Sequence, residues 1–501
     1  MPKSQLLLNL AALVSGALLP LGLAPFGLWP LAILSCALFS SLLAELGPRQ
    51  AWWRSFYYGL GLFGAGVSWV YISIHTHGGE SVAISLLLTG LFVLVLTLAF
   101  ALPFSLYGRL PSGHSGVRLL AFPALWVLVE WLRGWLFTGF PWLYLGNSFT
   151  DTRLAGWAPI GGVLLLSLVG ALSGAVLAEL GRRRRETRPW LAAAAATALL
   201  WLGGAALAQV SWTTAAGQPL TLAMVQPALT PSQKWNDQIL TDILVQLSDQ
   251  SEAHWGRDLL IWPESAIPNT RERVAPFVDY ADSRARESGT TLITGIPIKE
   301  NGRYYNGVIL LGAGEGSYRK RHLVPFGEYL PLDSLLRGII GFFDRPMSSF
   351  SAGGDHQPLL LAKGIAIATA ICYEIVFQDL VSATARDADL ILTISNDVWF
   401  GDSIAPHQHL QMARLRAIEN AKPVVRGTND GITAVIDARG QVTARLPQFV
   451  PATLTAEVTP HSGSTPFNRW GSWPVVLLCG GLVATALGVS RLRLQVSRSA
   501  P

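Results

Sequence analysis

The chain has 501 residues, of which 14% are charged, against about 25% in typical soluble proteins. Residues 1–217 hold 12 basic and 6 acidic residues and residues 471–501 hold three arginines, which leaves 22 basic and 26 acidic residues in 218–470. A mildly acidic globular region excludes a nucleic-acid-binding protein, and only three cysteines exclude a disulfide scaffold. The composition indicates a membrane protein that carries one soluble domain.

Eight apolar stretches, each about 20 residues long, predict transmembrane helices. They lie near 5–23, 28–46, 55–75, 82–107, 119–138, 157–180, 190–209 and 473–490. The first could pass for a signal peptide, but it runs directly into a second span without a convincing small-residue cleavage site, which favours a signal-anchor. We therefore predict a multi-span α-helical membrane bundle, with seven transmembrane helices in 1–217 and the eighth in 471–501, followed by a tail.

The basic residues of the short loops predict the orientation. With eight spans, 13 lysines and arginines lie on one side, and Arg153 alone lies on the other. Since positive loops stay in the cytoplasm, both termini are expected there. The 218–470 domain is expected outside, which in a Gram-negative bacterium means the periplasmic side of the inner membrane.

The fifth span contains two charged residues, Glu130 and Arg133, three positions apart on one helical face. An internal ion pair that locks the bundle is the favoured interpretation, and a direct role is the alternative. The other spans are nearly free of charge, which argues against a transporter.

Residues 218–470 alternate between strand-like and helical segments, which is typical of an α/β layer structure. Apolar and β-branched runs predict strands at 220–226, 258–262, 290–296, 306–312, 365–371, 388–394, 423–428 and 432–436. Helices are predicted at 235–254, 275–288 and 406–421.

Three residues of this domain are candidates for chemistry. Glu264 follows an apolar strand, where partial burial would suit a general base, although a solvated carboxylate is the plainer interpretation. Lys320 precedes an apolar run and could face an oxyanion, unless the basic cluster around it is a solvated face. Cys372 ends a strand and is the domain's only cysteine, so it is either a nucleophile or a small buried hydrophobe.

Four sequences in the domain resemble the nitrilase superfamily. They are WPESAIP at 262–268, KRHLVPFGEYLPL at 320–332, ICYEIVF at 371–377 and SNDVWFG at 395–401. With the eight spans and GFPW at 139–142, the resemblance narrows to the bacterial apolipoprotein N-acyltransferase family and covers essentially the whole chain.

The resemblance implies a nitrilase-like αββα sandwich with a Glu-Lys-Cys triad. It implies that Glu264 is the base, that Lys320 stabilises the oxyanion and that Cys372 attacks the acyl ester. Four further positions match supporting or substrate-binding residues of the family: Trp235, on a loop over the lipid cleft, and Glu328, Tyr373 and Glu374 beside the triad.

The implied reaction is a two-step N-acyl transfer. An acyl chain passes from a phospholipid, typically phosphatidylethanolamine, to a cysteine thioester. It then passes to the α-amino group of the diacylglyceryl-cysteine of an apolipoprotein. No cofactor or metal is expected, since His407 and His409 diverge on a helix and have no obvious third ligand. The alternative is a membrane-anchored amidase or hydrolase that uses the same triad and delivers the acyl group to water.

An apolar segment at 335–343 separates Glu328 from Cys372 along the chain. It is expected either to pack in the domain core or to form a lid that dips into the outer leaflet.

Overall fold

Two compact units make up the structure, which is a computed structural model that describes residues 3–110, 115–181, 187–234, 236–331, 333–336 and 349–499. The first unit is formed by Met1–Tyr71, Val82–Val210 and Trp470–Pro501. The second unit, called the catalytic unit below, is formed by Ile72–Ser81 and Ser211–Arg469. A short segment from between two apolar helices thus belongs to the catalytic unit. The predicted domain limits near 217 and 470 stay predictions.

Helices account for nearly all of the regular structure in the first unit. They are α1 (Lys3–Leu18), α2 (Trp29–Leu43), α3 (Pro48–Gly66), α4 (Val70–His75), α5 (Val82–Phe104), α6 (Ser115–Arg133), α7 (Ala158–Gly181), α8 (Thr187–Leu207) and α16 (Trp473–Ser499). Among the described residues, five helical stretches are long and apolar enough to cross a membrane: Lys3–Gly22, Val82–Arg109, Ser115–Arg133, Arg153–Gly181 and Pro189–Leu207. Two shorter apolar helices are Trp29–Leu43 and Trp473–Gly488.

The predicted third span, 55–75, is not one helix, because α3 ends at Gly66 and α4 begins at Val70. The structure confirms several long apolar helices in the first half of the chain, and the total of eight spans stays a prediction.

Buried charges inside the first unit find polar partners. Arg118, which the sequence analysis counts with the loops, lies inside α6 and pairs with Glu179 of α7 through two bonds of 2.6 Å. Arg54, counted in the same way, is buried in α3 and donates to Gln5 Oε1 at 3.1 Å. Burying a charge is expensive unless it is paired or hydrogen-bonded, so these contacts fix how the helices meet.

Glu130 and Arg133 both contact the stretch 140–145 that follows α6. The Glu130 carboxylate accepts from the Leu145 backbone N–H at 2.7 Å and from the Trp126 indole at 2.9 Å. Arg133 donates to the carbonyl oxygens of Phe140 and Trp142. The two charges therefore tie the end of α6 to the turn that follows it.

The catalytic unit contains two β-sheets and the helices that cover them. Its strands are β1 (Thr214–Ala215), β2 (Leu220–Gln226), β3 (Leu259–Ile261), β4 (Thr291–Glu300), β5 (Arg303–Gly312), β6 (Gly314–Glu315), β7 (Ser317–Arg319), β8 (Leu360–Ala362), β9 (Ile365–Ile371), β10 (Leu390–Ser395), β11 (Val424–Thr428), β12 (Ala434–Ile436), β13 (Val442–Arg445), β14 (Ala452–Val458) and β15 (His461–Ser462). Its helices and the one at its border are α9 (Pro231–Lys234), α10 (Leu240–Ser251), α11 (Ala275–Ser288), α12 (Asp333–Leu336), α13 (Gln378–Ala385), α14 (Ala405–Asn420) and α15 (Pro466–Trp470).

In the described residues, the two large sheets have the strand orders β14-β2-β3-β4-β5-β7 and β13-β12-β11-β10-β9-β8-β6. The trios β2-β3-β4 and β9-β10-β11 are parallel, and the other pairs are antiparallel. The central strands are continuous apolar runs, as expected for parallel strands that are buried on both faces.

Alternate side chains of each strand enter different layers. Leu222 and Met224 of β2 pack between the sheets, where they join Ile371 and Leu392 of the other sheet. Ala223 and Val225 face outward, against a layer to which α10 and α11 contribute. Helices α13 and α14 pack against β9 and β11 of the second sheet. This arrangement confirms the predicted αββα sandwich.

Candidate active site

The candidate residues follow the ends of strands from both large sheets. Glu264 comes shortly after β3 and Lys320 directly follows β7 in one sheet, whereas Cys372 directly follows β9 in the other. Asn396 and Asp397 follow β10, the parallel neighbour of β9. Glu264 contacts both Lys320 and the Asn396 backbone, so residues that are far apart in sequence converge between the two sheets.

Lys320 lies between two carboxylates. Its Nζ is 2.9 Å from Glu328 Oε1, 2.8 Å from Glu328 Oε2 and 3.5 Å from Glu264 Oε1, and all three side chains are buried. Burial alone would lower the pKa of Lys320, but the charges of Glu328 and Glu264 outweigh it and raise the pKa above its ordinary value. The lysine is therefore a fixed positive charge.

Asn306, which the sequence analysis did not single out, joins the same two carboxylates. Its Nδ2 donates to Glu264 Oε1 and to Glu328 Oε1, each at 2.7 Å. The second oxygen of Glu264 accepts from the Asn396 backbone N–H at 2.7 Å. The sequence did contain a hint of this role: Asn306 lies inside strand β5, and asparagine is usually disfavoured in strands.

Glu374 connects the loops that carry Lys320 and Cys372. Its wholly buried carboxylate accepts from the backbone N–H groups of Arg321, His322 and Ile371 at 2.7 to 3.0 Å, and from the Tyr318 hydroxyl. Burial raises its pKa even though these donors oppose the shift. Beside it, the Tyr373 ring packs edge-on against Phe377 at 5.0 Å. These supporting residues therefore lie beside the triad positions.

Cys372 adopts a left-handed backbone conformation, with φ of +52°. The residue is half-buried, and burial followed by the charge of Glu264 raises the pKa of its thiol, while Lys320 opposes this shift. The thiol is therefore protonated at neutral pH.

A second buried polar cluster lies behind Cys372. Asp397 accepts from Arg426 Nη2 at 2.5 Å and from the Ser395 hydroxyl, and His409 contacts both Asp397 and Arg426. Burial would raise the pKa of Asp397, but Arg426 and His409 lower it well below its usual range. The sequence analysis considered His409 only as a metal ligand. The structure explains its position in this cluster: His409 lies on α14, which packs against the parallel strand β11.

A second lysine contacts the backbone of Glu264. Lys234 is buried, and its Nζ donates to the backbone oxygen of Glu264 at 2.6 Å. Burial lowers its pKa to about 8, although Glu264 and Asp430 oppose the shift. Asp430 is itself buried, and burial together with Asp397 raises its pKa to about 7. The predicted substrate residue Trp235 and the segment 337–343 of the predicted lid lie outside the described residues.

Residues 72–81 contact the turn that follows β10. Ser73 Oγ donates to the Trp399 backbone oxygen at 2.7 Å, and the His77 ring meets the Trp399 ring edge-on at 6.3 Å. The same turn contains Asp397 and begins next to Asn396, which binds Glu264. This segment thus supports the backbone beside the candidate site.

Comparison with known proteins assigns both halves of the chain. Residues 15–176 match the model of the apolipoprotein N-acyltransferase N-terminal domain, and residues 221–465 match the carbon-nitrogen hydrolase model. A carbon-nitrogen hydrolase from Helicobacter pylori covers 48% of this chain and 89% of its own length, with 16% identity and a TM-score of 0.37.

Two curated relatives match over nearly the whole length. An apolipoprotein N-acyltransferase of Azotobacter vinelandii is 46% identical over 98% of this chain and 96% of its own length. One from Pseudomonas syringae is 45% identical over 97% of both chains. The chain therefore belongs to the apolipoprotein N-acyltransferase family.

Proposed function

We propose that this protein acylates the N-terminus of diacylated apolipoproteins by a ping-pong mechanism through a thioester on Cys372. The acyl donor is a phospholipid, with phosphatidylethanolamine as the expected headgroup class. The convergence of Glu264, Lys320 and Cys372 from strand ends of the two sheets is the observation that carries this proposal. The names of the relatives supply the substrate class.

In the first half-reaction, Glu264 takes the thiol proton as the sulfur attacks the ester carbonyl of the phospholipid. The carbonyl oxygen becomes negative and is stabilised by the Lys320 ammonium, which Glu328 and Glu264 keep protonated. The tetrahedral intermediate expels the glycerol oxygen of the phospholipid, which receives the proton from Glu264. The products are a thioester and a lysophospholipid.

In the second half-reaction, the free α-amine of the apolipoprotein attacks the thioester carbonyl. Glu264 accepts a proton from the attacking nitrogen while Lys320 again faces the oxyanion. As the carbon–sulfur bond breaks and the amide forms, Glu264 returns that proton to the sulfur, which restores the Cys372 thiol. A thioester preserves the activation of the original ester, so the amine reacts without an external energy source. Glu328, Tyr373 and Glu374 hold the triad in place, and Trp235 contacts the lipid.

We further propose that the protein resides in the bacterial inner membrane with both termini in the cytoplasm and residues 218–470 in the periplasm. Both substrates are lipids anchored at the periplasmic face, so a membrane-bound enzyme meets them without drawing an acyl chain through water. With seven proposed spans before the domain and one after it, both chain connections between the domain and the membrane lie on the periplasmic side.

Intact-mass measurement of the full-length protein with phosphatidylethanolamine tests the proposal. The wild-type protein should gain the mass of one fatty acyl chain, and hydroxylamine should remove it. Cys372→Ser should give no hydroxylamine-sensitive adduct. Cys36→Ser and Cys479→Ser are matched controls, because both thiols are buried in the first unit, and they should behave as wild type.

A diacylated lipopeptide then identifies the acceptor. The thioester should disappear as the lipopeptide with a free amine gains the acyl chain, whereas an N-acetylated lipopeptide should leave the thioester intact. Persistence of the adduct in Cys372→Ser contradicts the assigned nucleophile. Rapid release of free fatty acid without an amine favours the alternative, a hydrolase.

A further inference from the structure

The backbone of Cys372 needs support, because its φ of +52° lies in the left-handed region. For a residue with a Cβ this conformation is unfavourable, and it persists only where surrounding contacts impose it. The backbone N–H of Ile371, just before Cys372, is held by Glu374 Oε2 at 2.8 Å. On the other side, Cys372 is held through a contact to its own carbonyl oxygen.

That carbonyl oxygen faces His409 of α14. The imidazole is wholly buried, and its Nε2 lies 3.2 Å from Cys372 O. A carbonyl oxygen only accepts hydrogen bonds, so the contact requires a hydrogen on Nε2. Both the charged ring and one of the two neutral tautomers meet this requirement, and the other neutral tautomer does not.

The second ring nitrogen faces groups that select the correct tautomer. Nδ1 lies 3.1 Å from Arg426 Nη2 and 3.1 Å from Asp397 Oδ1. Burial and the charge of Arg426 lower the pKa of His409, so the ring is neutral at pH 7. With the hydrogen on Nδ1, that nitrogen could donate to Asp397, but Nε2 and the Cys372 carbonyl would then be two acceptors facing each other at 3.2 Å. With the hydrogen on Nε2, the carbonyl receives a donor, and the lone pair of Nδ1 accepts from the guanidinium of Arg426, which is always a donor.

The cluster also fixes the imidazole itself. Asp397 accepts from Arg426 Nη2 at 2.5 Å and from the Ser395 hydroxyl. Arg426 and Asp397 therefore hold the ring that faces the Cys372 carbonyl. These groups are buried, with exposed fractions of 0% for Ser395, His409 and Arg426 and 2% for Asp397.

We infer that His409 is a positioning residue for the nucleophile: its Nε2–H holds the Cys372 carbonyl and thereby aims the thiol between Glu264 and the substrate ester. The inference rests on the proposed role of Cys372. His409 acts through the backbone and touches neither the acyl chain nor the amine.

Two amide substitutions separate this role from simple packing. In His409→Gln the amide nitrogen reaches about as far as Nε2 and can donate to the Cys372 carbonyl. In His409→Asn the amide nitrogen reaches only about as far as Nδ1. The experiment compares single-turnover thioester formation from phosphatidylethanolamine in full-length proteins, followed by intact mass, together with their melting temperatures.

We expect His409→Gln to form the thioester within a few fold of the wild-type rate. His409→Asn should be slower by about 10- to 100-fold, the range for a small displacement of a reacting group. This difference should persist at temperatures well below both melting points, where the folded fractions are equal. A purely structural histidine predicts rates that do not differ between the two variants under those conditions.

Three outcomes overturn the inference: His409→Asn reacts at the wild-type rate, His409→Gln is as slow as His409→Asn, or His409→Gln does not fold. Each of these leaves the wild-type thioester intact, so the proposed function survives. Absence of the thioester in the wild-type protein instead removes the proposed nucleophile, and the inference falls with it.

Discussion

Two buried lysines of the catalytic unit differ in the groups that face their ammonium ends. Lys320 faces the carboxylates of Glu328 and Glu264, and its pKa is raised in spite of burial. Lys234 donates to a neutral carbonyl oxygen, and burial lowers its pKa to about 8. Neighbouring charges therefore determine which lysine is a permanent cation and which one titrates.

This difference predicts how stability depends on pH. In the unfolded chain Lys234 titrates near its ordinary pKa of about 10.4. Between pH 8 and that value the unfolded chain holds a proton that the folded chain has lost, so stability rises with pH. Asp430, with a pKa of about 7, is ionised throughout this window and adds little to the change of the free energy of unfolding with pH. The contribution of Lys234 across the window is roughly 3 kcal/mol.

Replacing Lys234 by methionine should remove that contribution. Melting temperatures of full-length wild type and Lys234→Met, measured from pH 7 to 10, should converge or cross as the pH rises, because only the wild type gains stability from this group. Lys299→Met is the control at an exposed lysine, and its profile should run parallel to the wild type. A parallel profile for Lys234→Met would contradict the assigned titration.

At the scale of elements, most strands around the site were predictable because their apolar runs have no competing helical period. The eight predicted strands correspond to β2, β3, β4, β5, β9, β10, β11 and β12, with limits shifted by at most a few residues. Among the strands that were missed are β7, which precedes Lys320, and β14, which pairs with β2 as the outermost strand of its sheet. The sequence of β14 mixes exposed polar and buried apolar residues, as is typical of a strand at an edge.

The candidate triad and its neighbours Glu328, Tyr373 and Glu374 were predicted from motifs, whereas Asn306 and His409 were not. Asn306 and His409 act through hydrogen bonds to residues 42 and 37 positions away in sequence, and no local pattern reveals such pairings. Their roles depend on which strands are neighbours in the sheets. The sequence predicted the strands but not their order.

Close approach of β4 to the end of β3 leads to a prediction about Gly295. A Cβ atom built at Gly295 would lie 2.5 Å from Pro263 O, 2.5 Å from Ser265 N and 2.8 Å from Glu264 Cα. These are backbone atoms, which cannot rotate away, so Gly295→Ala must displace the segment that carries Glu264. We expect a lower melting temperature and thioester formation slowed by about 10²-fold or more.

Gly354→Ala is the matched control, because a Cβ there meets no atom within 4 Å and the residue is exposed. It should retain the wild-type rate and melting temperature. Normal acylation by Gly295→Ala would mean that the backbone around Glu264 shifts without displacing the carboxylate, and that the tight approach has no catalytic consequence.

At the scale of the whole molecule, the chain contributes to the catalytic unit twice. Residues 72–81 leave the run of apolar helices and contact the turn after β10 through Ser73 and His77, long before the main part of the unit begins at Ser211. The catalytic unit is therefore not continuous in sequence. The predicted third span included residues 72–75 because they continue an apolar run. Their contacts assign them to the catalytic unit instead.

The last prediction concerns the orientation of the whole chain. Two of the thirteen residues counted for the positive side, Arg54 and Arg118, are buried inside helices, so eleven stand against Arg153. The bias remains strong and predicts cytoplasmic termini.

In a background with all three native cysteines replaced by serine, Gly47→Cys and Gly354→Cys each introduce one thiol at an exposed position. A membrane-impermeant maleimide should label Gly354→Cys in intact spheroplasts, and should label Gly47→Cys only after lysis. The reverse pattern would place the catalytic unit in the cytoplasm, away from the lipoprotein substrate. If both cysteines are labelled in intact spheroplasts, the two positions lie on the same side of the membrane, and the predicted odd number of spans between them is wrong.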